Sequence, residues 1–152
     1  MLLRVAAAAL VVLGVAACGA KKEAISQSGL PPGCTVDEVE RTVRAFLVRP
    51  TLAPPATFQV YASEESDGHR FLARNRAKAL AHLRQRLRLG ERSRLIQLRV
   101  APQDVNHARI TFELTRLGPD FRARGIHGRL VRGAGTIDCA HQKVAAWVTK
   151  GP

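Results

Sequence analysis

Aromatic residues are scarce in this sequence of 152 residues, which contains one Trp, one Tyr and five Phe. Proteins that bind single-stranded nucleic acid stack its bases on aromatic side chains, and no basic segment of this chain carries a set of them. The scarcity also predicts a core of mainly aliphatic side chains. Hydrophobic residues make up 46% of the sequence, which is enough to bury such a core and argues against disorder over most of the chain.

Acidic residues are also few, since 12 Asp and Glu oppose 24 Lys and Arg and the formal net charge is +12. A surplus of this size is typical of proteins with negatively charged partners, nucleic acid among them. Two interpretations remain open. The basic side chains either bind an anionic partner or form a solvated surface, in which the preference for Arg over Lys, 19 to 5, reflects a GC-rich genome.

The longest apolar stretch is too short to cross a membrane. It follows Arg4 and ends at the small residues Ala16 and Ala17, whereas a membrane-spanning helix needs about 20 apolar residues. A short apolar run behind a positive charge and before small residues is typical of a secretory signal peptide. We therefore expect an exported protein, and export argues against nucleic acid as its partner.

The four residues Val15-Ala16-Ala17-Cys18 resemble the lipobox of bacterial lipoproteins. The resemblance implies lipid on Cys18 and anchoring on the outer side of the cytoplasmic membrane or elsewhere in the cell envelope. Residues 1–17 would be the signal peptide, 18–33 a lipidated tether and 34–152 a single domain. The alternative is an ordinary secretory peptide cut at the same bond. Near a membrane, the positive charge favours anionic lipid headgroups or envelope polymers as partners.

Only Cys34 and Cys139 remain as thiols once Cys18 carries lipid. The compartment outside the cytoplasmic membrane permits oxidation, so we expect a disulfide between them. Closing a loop of this length stabilises the fold by about 4 to 5 kcal/mol on the loop-entropy estimate. The alternative is a nucleophilic thiol activated by a histidine, for which His141 is a candidate.

Helical spacing marks two segments of the domain. Thr35 and Glu38 have the spacing of a capping box, and the apolar residues after them recur on one helical face until Pro50. A second helix is predicted from about residue 70 to residue 89, with leucines at 72, 80, 83 and 87 on its buried face and Arg76 among them. Between the two helices, residues 57–61 alternate like a short strand, and residues 63–68 form an acidic link.

After Gly90 the apolar pattern changes to strict alternation, which predicts four strands. The first has apolar residues at 96, 98 and 100 on one face, and the second has them at 110, 112 and 114. The third covers residues 126–139 and carries glycines typical of bulges or a bend, and the last covers residues 144–149 after a turn at 140–142. The sequence therefore predicts an α+β fold, with two helices packed on a curved antiparallel sheet of four to five strands.

The order of these elements, together with segments 91–95, 112–116 and 133–139, resembles the NTF2-like cone fold of uncharacterised bacterial envelope lipoproteins. NTF2-like proteins include enzymes, ligand carriers and structural domains, so the resemblance does not choose among activities. It implies that a ligand or an acid and base would occupy the cone, with Arg76 as an anion partner. The candidate pocket residues are Tyr61, Arg76, Glu113, His127, Asp138 and Trp147.

No pattern identifies a catalytic residue, a metal site or a cofactor. The five histidines, at positions 69, 82, 107, 127 and 141, lack metal-ligand spacing. The segment 133–135 lacks the remaining glycine and the helix of a dinucleotide fingerprint. The sequence therefore favours a non-enzymatic binding or interaction module, and the alternative is a small-ligand carrier or NTF2-like enzyme that uses the cone pocket.

Overall fold

The computed structural model describes residues 29–54, 61–66 and 69–151. The predicted signal peptide, Cys18, most of the predicted tether and residues 57–60 of the first predicted strand lie outside these ranges. The described chain is an α+β fold of three helices and six strands. In chain order they are α1 (Val36–Val48), β1 (Ala62–Ser66), β2 (His69–Ala73), α2 (Arg76–Arg88), β3 (Arg92–Pro102), β4 (His107–Leu117), α3 (Pro119–Ala123), β5 (Arg129–Asp138) and β6 (Lys143–Lys150).

Helix α1 begins where the sequence predicts. The hydroxyl of Thr35 accepts a hydrogen bond from the backbone N–H of Glu38, and the Glu38 carboxylate accepts one from the backbone N–H of Thr35 at 3.0 Å. Both halves of the capping box are therefore present. Val39, Val43 and Phe46 form the buried face of the helix.

The six strands form one sheet in the order β2-β1-β6-β5-β4-β3. Neighbouring strands are antiparallel except β1 and β6, which pair in parallel. The predicted antiparallel sheet of four to five strands is therefore too small and lacks the parallel pair, and the short helix α3 adds to the two predicted helices. Parallel pairing joins segments that are distant in the chain, so local patterns could not reveal it.

The segment between α1 and α2 differs most from the prediction. Residues 62–66 form a strand rather than a link, and residues 69–73 form a second strand rather than the first turns of α2. Helix α2 begins only at Arg76, because the Asn75 side chain caps it by accepting hydrogen bonds from the backbone N–H groups of Ala77 and Lys78. Strand β1 has little apolar alternation and therefore a weak local preference for a strand. Its pairing with two neighbouring strands outweighs that preference.

Strand β3 has a bulge at Ile96, which has no partner in β4. A bulge of one residue shifts the alternation of side chains between the two faces. Leu95 is buried as a result, whereas Ile96 is 56% exposed. The prediction that Ile96 shares the core face with Leu98 and Val100 is therefore wrong for Ile96 alone.

Strand β5 is shorter than the predicted strand over residues 126–139. Its register against β6 shifts between Thr136 and Ile137, but the extra residue is Ala145 of β6, and Gly133 and Gly135 lie in regular pairs. Gly133 has a different role, because a Cβ at this position would lie 2.2 Å from Cζ of Phe112. The missing side chain makes room for the Phe112 ring, which stacks on Trp147 with 4.0 Å between the ring centroids.

The predicted disulfide is confirmed. Cys34 and Cys139 are bonded, buried and 5.1 Å apart between their Cα atoms. The bond joins the residue before the cap of α1 to the turn between β5 and β6. It therefore holds the start of the domain, and the exit of the predicted tether, at this end of the sheet.

Candidate functional site

Two groups of charged side chains are candidates for a site, one inside the fold and one on its surface. The interior group centres on Arg116, which is 5% exposed. Alternation along β4 turns Ile110, Phe112 and Leu114 to the core, and Arg116 follows on the same face. Burying an unpaired guanidinium is strongly unfavourable, so stability requires carboxylates around Arg116.

Glu64 from β1 and Glu91 from the segment before β3 supply these carboxylates. Glu64 accepts a hydrogen bond from the guanidinium of Arg116 and forms an ion pair with the guanidinium of Arg86. Glu91 accepts a hydrogen bond from Nε of Arg86 at 3.0 Å and lies 3.5 Å from Nε of Arg116. Two carboxylates therefore face two guanidinium groups, and their charges cancel.

Two further polar side chains complete this group. His82 Nε2 donates a hydrogen bond to Glu64 at 3.0 Å, and the His82 ring stacks on Phe71. Thr149 Oγ1 accepts a hydrogen bond from Arg116 at 3.1 Å. We call the six residues Glu64, His82, Arg86, Glu91, Arg116 and Thr149 the ionic cluster.

The ionic cluster decides the protonation of Glu64. Burial alone would raise the pKa of this carboxyl, but the hydrogen bond from His82 and the charges of Arg116 and Arg86 outweigh it and lower the pKa from 4.5 to about 2. Burial and the nearby Arg86 in turn lower the pKa of Arg116. Glu64 is ionised at neutral pH and is too weak a base for proton abstraction there.

A cavity of about 40 Å³ adjoins the ionic cluster. Small-ligand pockets usually measure about 300–1,000 Å³, whereas a site for one water needs about 10–15 Å³. The cavity therefore has room for a few water molecules, and a small-ligand carrier would need it to widen. Besides Arg86, Glu91 and Arg116, its walls consist of Ser93 and the apolar residues Phe46, Leu47, Pro50, Leu83, Leu87, Leu114 and Trp147.

Of the six predicted pocket residues, Trp147 lines this cavity. Tyr61 is half-buried beside the core, and its carbonyl accepts a hydrogen bond from the Trp147 backbone N–H at 3.0 Å. Arg76 donates from Nη2 to the Leu52 carbonyl at 2.7 Å, while its buried Nε has no partner among the described residues. Neither Tyr61 nor Arg76 lines the cavity.

The other three predicted pocket residues lie elsewhere. Glu113 points to the opposite side of the sheet, where Nε of Arg132 donates to its carboxylate at 2.8 Å. Asp138 is at the end of β5 and accepts a hydrogen bond from the backbone N–H of His141 at 3.0 Å. His127 is exposed in the loop before β5. The fold therefore does not bring the six residues together.

The sequence contains a signal for only part of the ionic cluster. Continuing the alternation of β4 by one step places Arg116 on the core face, where a charged residue is unusual. Glu64 lies in a segment without apolar alternation, for which the sequence predicts a link. Arg86 and Glu91 belong to different elements, and only the packing of α2 against the sheet brings them beside Arg116.

The surface group consists of exposed basic side chains. The exposed acids among the described residues are Asp37, Glu65, Asp104 and Asp120. The remaining described acids are partly buried and bonded to other side chains. Seventeen basic residues of the described ranges are exposed: Arg41, Arg44, Arg49, Arg70, Arg74, Lys78, Arg84, Arg88, Arg92, Arg94, Arg99, Arg109, Arg122, Arg124, Arg132, Lys143 and Lys150. The surface is therefore more cationic than the composition suggests.

Part of this basic surface lies on the side of the sheet that faces away from the ionic cluster and the core, which we call the outer face. Residues directly opposite on neighbouring strands share a face, and the register pairs Arg99 with Thr111 and Arg132 with Lys150. Arg132 is bonded to Glu113, whereas Arg99 has no side-chain partner among the described residues. Basic residues of the outer face include Arg70, Arg94, Arg99, Arg109, Arg132 and Lys150.

Two kinds of site are absent from residues 29–54, 61–66 and 69–151. No group of three or more His, Cys, Asp or Glu side chains there could hold a metal ion. In the same part of the chain, no helix has both the length and the apolar character needed to span a membrane.

The chain matches no protein-family model, and its sequence matches no curated protein. Its structure is similar to that of a "putative polyketide cyclase" from Xanthomonas campestris pv. campestris, at 14% identity and a TM-score of 0.41 over 76% of this chain and 91% of that one. A second "putative polyketide cyclase", from Pseudomonas putida KT2440, has 15% identity and a TM-score of 0.36 over 74% and 80% of the two chains. A de novo designed protein with a curved β-sheet has 12% identity and a TM-score of 0.42 over 78% and 88%. At these TM-scores the similarities assign neither a fold family nor a function, and the NTF2-like resemblance stays a prediction.

Proposed function

We propose that this protein is a lipoprotein anchored through Cys18, and that its domain binds anionic components of the cell envelope without catalysing a reaction. The observation that carries the proposal is the separation of charge in the described domain. Six of the ten described carboxylates are held in bonded, partly buried positions, whereas most of the described arginines and lysines extend into solvent. Such a surface attracts anions over roughly one Debye length, about 8–10 Å at moderate salt.

The interior of the fold supports a binding role over a catalytic one. Two carboxylates of the ionic cluster offset two guanidinium groups, its central carboxylate Glu64 is a weak base, and the adjoining cavity of about 40 Å³ has no room for a substrate of ordinary size. Interactions within the cluster therefore stabilise the fold, which leaves the surface as the place where a partner binds.

The predicted anchor would keep this surface near a membrane. From Cys18 to Gly29 the chain can extend by at most about 40 Å, at roughly 3.3–3.6 Å per residue. The disulfide between Cys34 and Cys139 fixes the end of the sheet from which this segment leaves. Tethering raises the local concentration of anionic lipids and envelope polymers around the domain, so weak contacts suffice for binding.

Binding to vesicles tests the proposed partner chemistry. The chain from residue 18 onward contains every described residue, and Cys18→Ser removes the lipid acceptor. We expect it to sediment with vesicles that contain phosphatidylglycerol and not with pure phosphatidylcholine, and to lose at least tenfold in affinity when salt rises from about 50 mM to about 500 mM. Binding that salt does not weaken would contradict the electrostatic mechanism.

Lipid labelling tests the anchor separately. Cells that produce the full chain should incorporate a labelled fatty acid into the protein, and Cys18→Ala should abolish the label and release the domain from the membrane fraction. Cys34→Ala serves as a control that should keep the label, because it removes a cysteine that the structure places in a disulfide. Continued labelling of the Cys18→Ala protein would refute the anchor.

A further inference from the structure

The outer face contains a hollow of about 230 Å³ that no sequence pattern predicts. Its rim carries the side chains of Gln97 and Arg99 from β3, Thr111 and Glu113 from β4, and Arg132 from β5. The strand register places Arg99 directly opposite Thr111, and Glu113 opposite both Gln97 and Arg132. Five polar side chains from three adjacent strands therefore converge on one depression.

The hydrogen-bonding capacity of these side chains is only partly used within the protein. Arg132 and Glu113 bind each other at 2.8 Å, with side chains 74% and 30% exposed. The side chains of Gln97, Arg99 and Thr111 have no hydrogen-bond or ion-pair partner among the described residues. The hollow thus offers an unpaired guanidinium, an amide and a hydroxyl, all accessible to a ligand.

We propose that this hollow binds one acidic sugar unit of an anionic polysaccharide. The inference rests on the proposed function and names the chemistry of its partner. Arg99 can bind the carboxylate of such a unit in a bidentate geometry, while Gln97 and Thr111 bind its hydroxyl groups. Arg109 and Lys150 lie on the outer face outside the hollow, where they can contact the neighbouring units of a polymer.

Glu113 distinguishes this ligand from a bare polyanion. A carboxylate only accepts hydrogen bonds, so it repels a second negative group in the hollow and is satisfied by a hydroxyl donor. A unit with one negative group and adjacent hydroxyls matches both Arg99 and Glu113, whereas a polyphosphate matches only Arg99. The volume lies below the range of about 300–1,000 Å³ for pockets that enclose a complete ligand, so the hollow fits one ring of a longer chain.

Calorimetric titration with tetragalacturonate tests the inference, with neutral maltotetraose, tripolyphosphate and phosphatidylglycerol vesicles as the comparison ligands. The protein is again the chain from residue 18 onward with Cys18→Ser. Arg99→Ala should weaken tetragalacturonate binding at least tenfold, and Thr111→Val, which removes only the hydroxyl, should weaken it about threefold or more. Arg88→Ala is the matched control, because it removes one exposed positive charge on α2 and should change the affinity less than twofold.

Each outcome is decisive. Equal losses in the Arg99→Ala and Arg88→Ala proteins, or tighter binding of tripolyphosphate than of tetragalacturonate, would overturn the assignment of the hollow. Binding of the vesicles without binding of tetragalacturonate would overturn it as well and leave the proposed function intact. Failure to bind any of the anionic ligands would reject both proposals.

Discussion

The ionic cluster and the outer face contain the same kinds of residue in opposite arrangements. In the ionic cluster, the side chains of Arg116 and Glu64 are 6% and 14% exposed, and each also contacts other members of the cluster. On the outer face, the side chains of Arg132 and Glu113 are 74% and 30% exposed and form a single pair. The face of the sheet on which an arginine lies therefore decides whether it stabilises the fold, like Arg116, or is available for binding, like Arg132.

Burial explains why the two groups differ. Water and salt weaken an exposed ion pair to about 0–1 kcal/mol. A charged side chain of the outer face can therefore leave its partner and bind a ligand at a small cost in free energy. A buried charge that loses its partner destabilises the fold by about 3–5 kcal/mol. The ionic cluster consequently cannot release a guanidinium to an incoming anion, although it adjoins the cavity.

Arg116→Met should have the largest effect, because it leaves Glu64 and Glu91 facing the single guanidinium of Arg86. We expect a loss of about 3–5 kcal/mol in the free energy of unfolding, measured by urea denaturation. The double variant Glu64→Leu/Arg116→Met should be more stable than Arg116→Met, since Arg86 and Glu91 can still pair. The single variant Glu64→Leu completes a double-mutant cycle, and losses that simply add in the double variant would show that the two charges are not coupled.

Acid should remove about 3 kcal/mol from the free energy of unfolding, which is the contribution of ionised Glu64. The pKa of Glu64 is about 2 in the folded protein and 4.5 without its partners, so the folded state binds fewer protons between these values. This contribution to stability is complete above about pH 5 and is lost as the pH falls towards 2. Urea denaturation at several pH values measures it.

The control for this prediction is Glu64→Gln, which lacks the titrating group. Other carboxyls with lowered pKa values, those of Glu38, Asp104 and Asp138, are present in both proteins. Their share cancels in the difference between the two pH profiles. Parallel profiles for the wild-type protein and the variant would exclude Glu64 as the source of the acid sensitivity.

Gly133→Ala tests the boundary between the core and the outer face. The new Cβ would lie 2.2 Å from Cζ of Phe112 and 2.5 Å from the Val148 carbonyl oxygen, so we expect a loss of about 1–3 kcal/mol by overpacking. Thermal unfolding followed by circular dichroism measures the loss. Adding Phe112→Leu should cost less than the sum of the two single changes, and strict additivity would show that the ring is not the obstacle.

Arg132→Ala should have the smallest effect, below about 1 kcal/mol, because the pair with Glu113 is exposed. A double-mutant cycle with Glu113→Ala should give a coupling energy in the same range by urea denaturation. A coupling as large as that between Arg116 and Glu64 would remove the distinction between the two faces.

Local patterns predict the elements whose residues interact with near neighbours in the chain. The cap of α1 depends on Thr35 and Glu38, three residues apart, and the core face of β4 follows from alternation alone. Strand β1 escapes prediction because Ala62–Ser66 is polar and pairs with β6, more than 80 residues later. The bulge at Ile96 escapes it because one extra residue changes the register without changing the composition.

Periodicity, cap chemistry and the small number of thiols are enough to establish the α+β class, the capped first helix and the disulfide, because they leave few alternatives. Which arginines are buried depends instead on the packing of the whole chain. Arg116 and Arg99 belong to alternating strands of similar composition. The pairing of β1 with β6 and the packing of α2 against the sheet place the carboxylates of Glu64 and Glu91 beside Arg116, whereas Arg99 on the other face meets solvent. The role of each charge follows from its burial, and burial is set by contacts between distant parts of the chain.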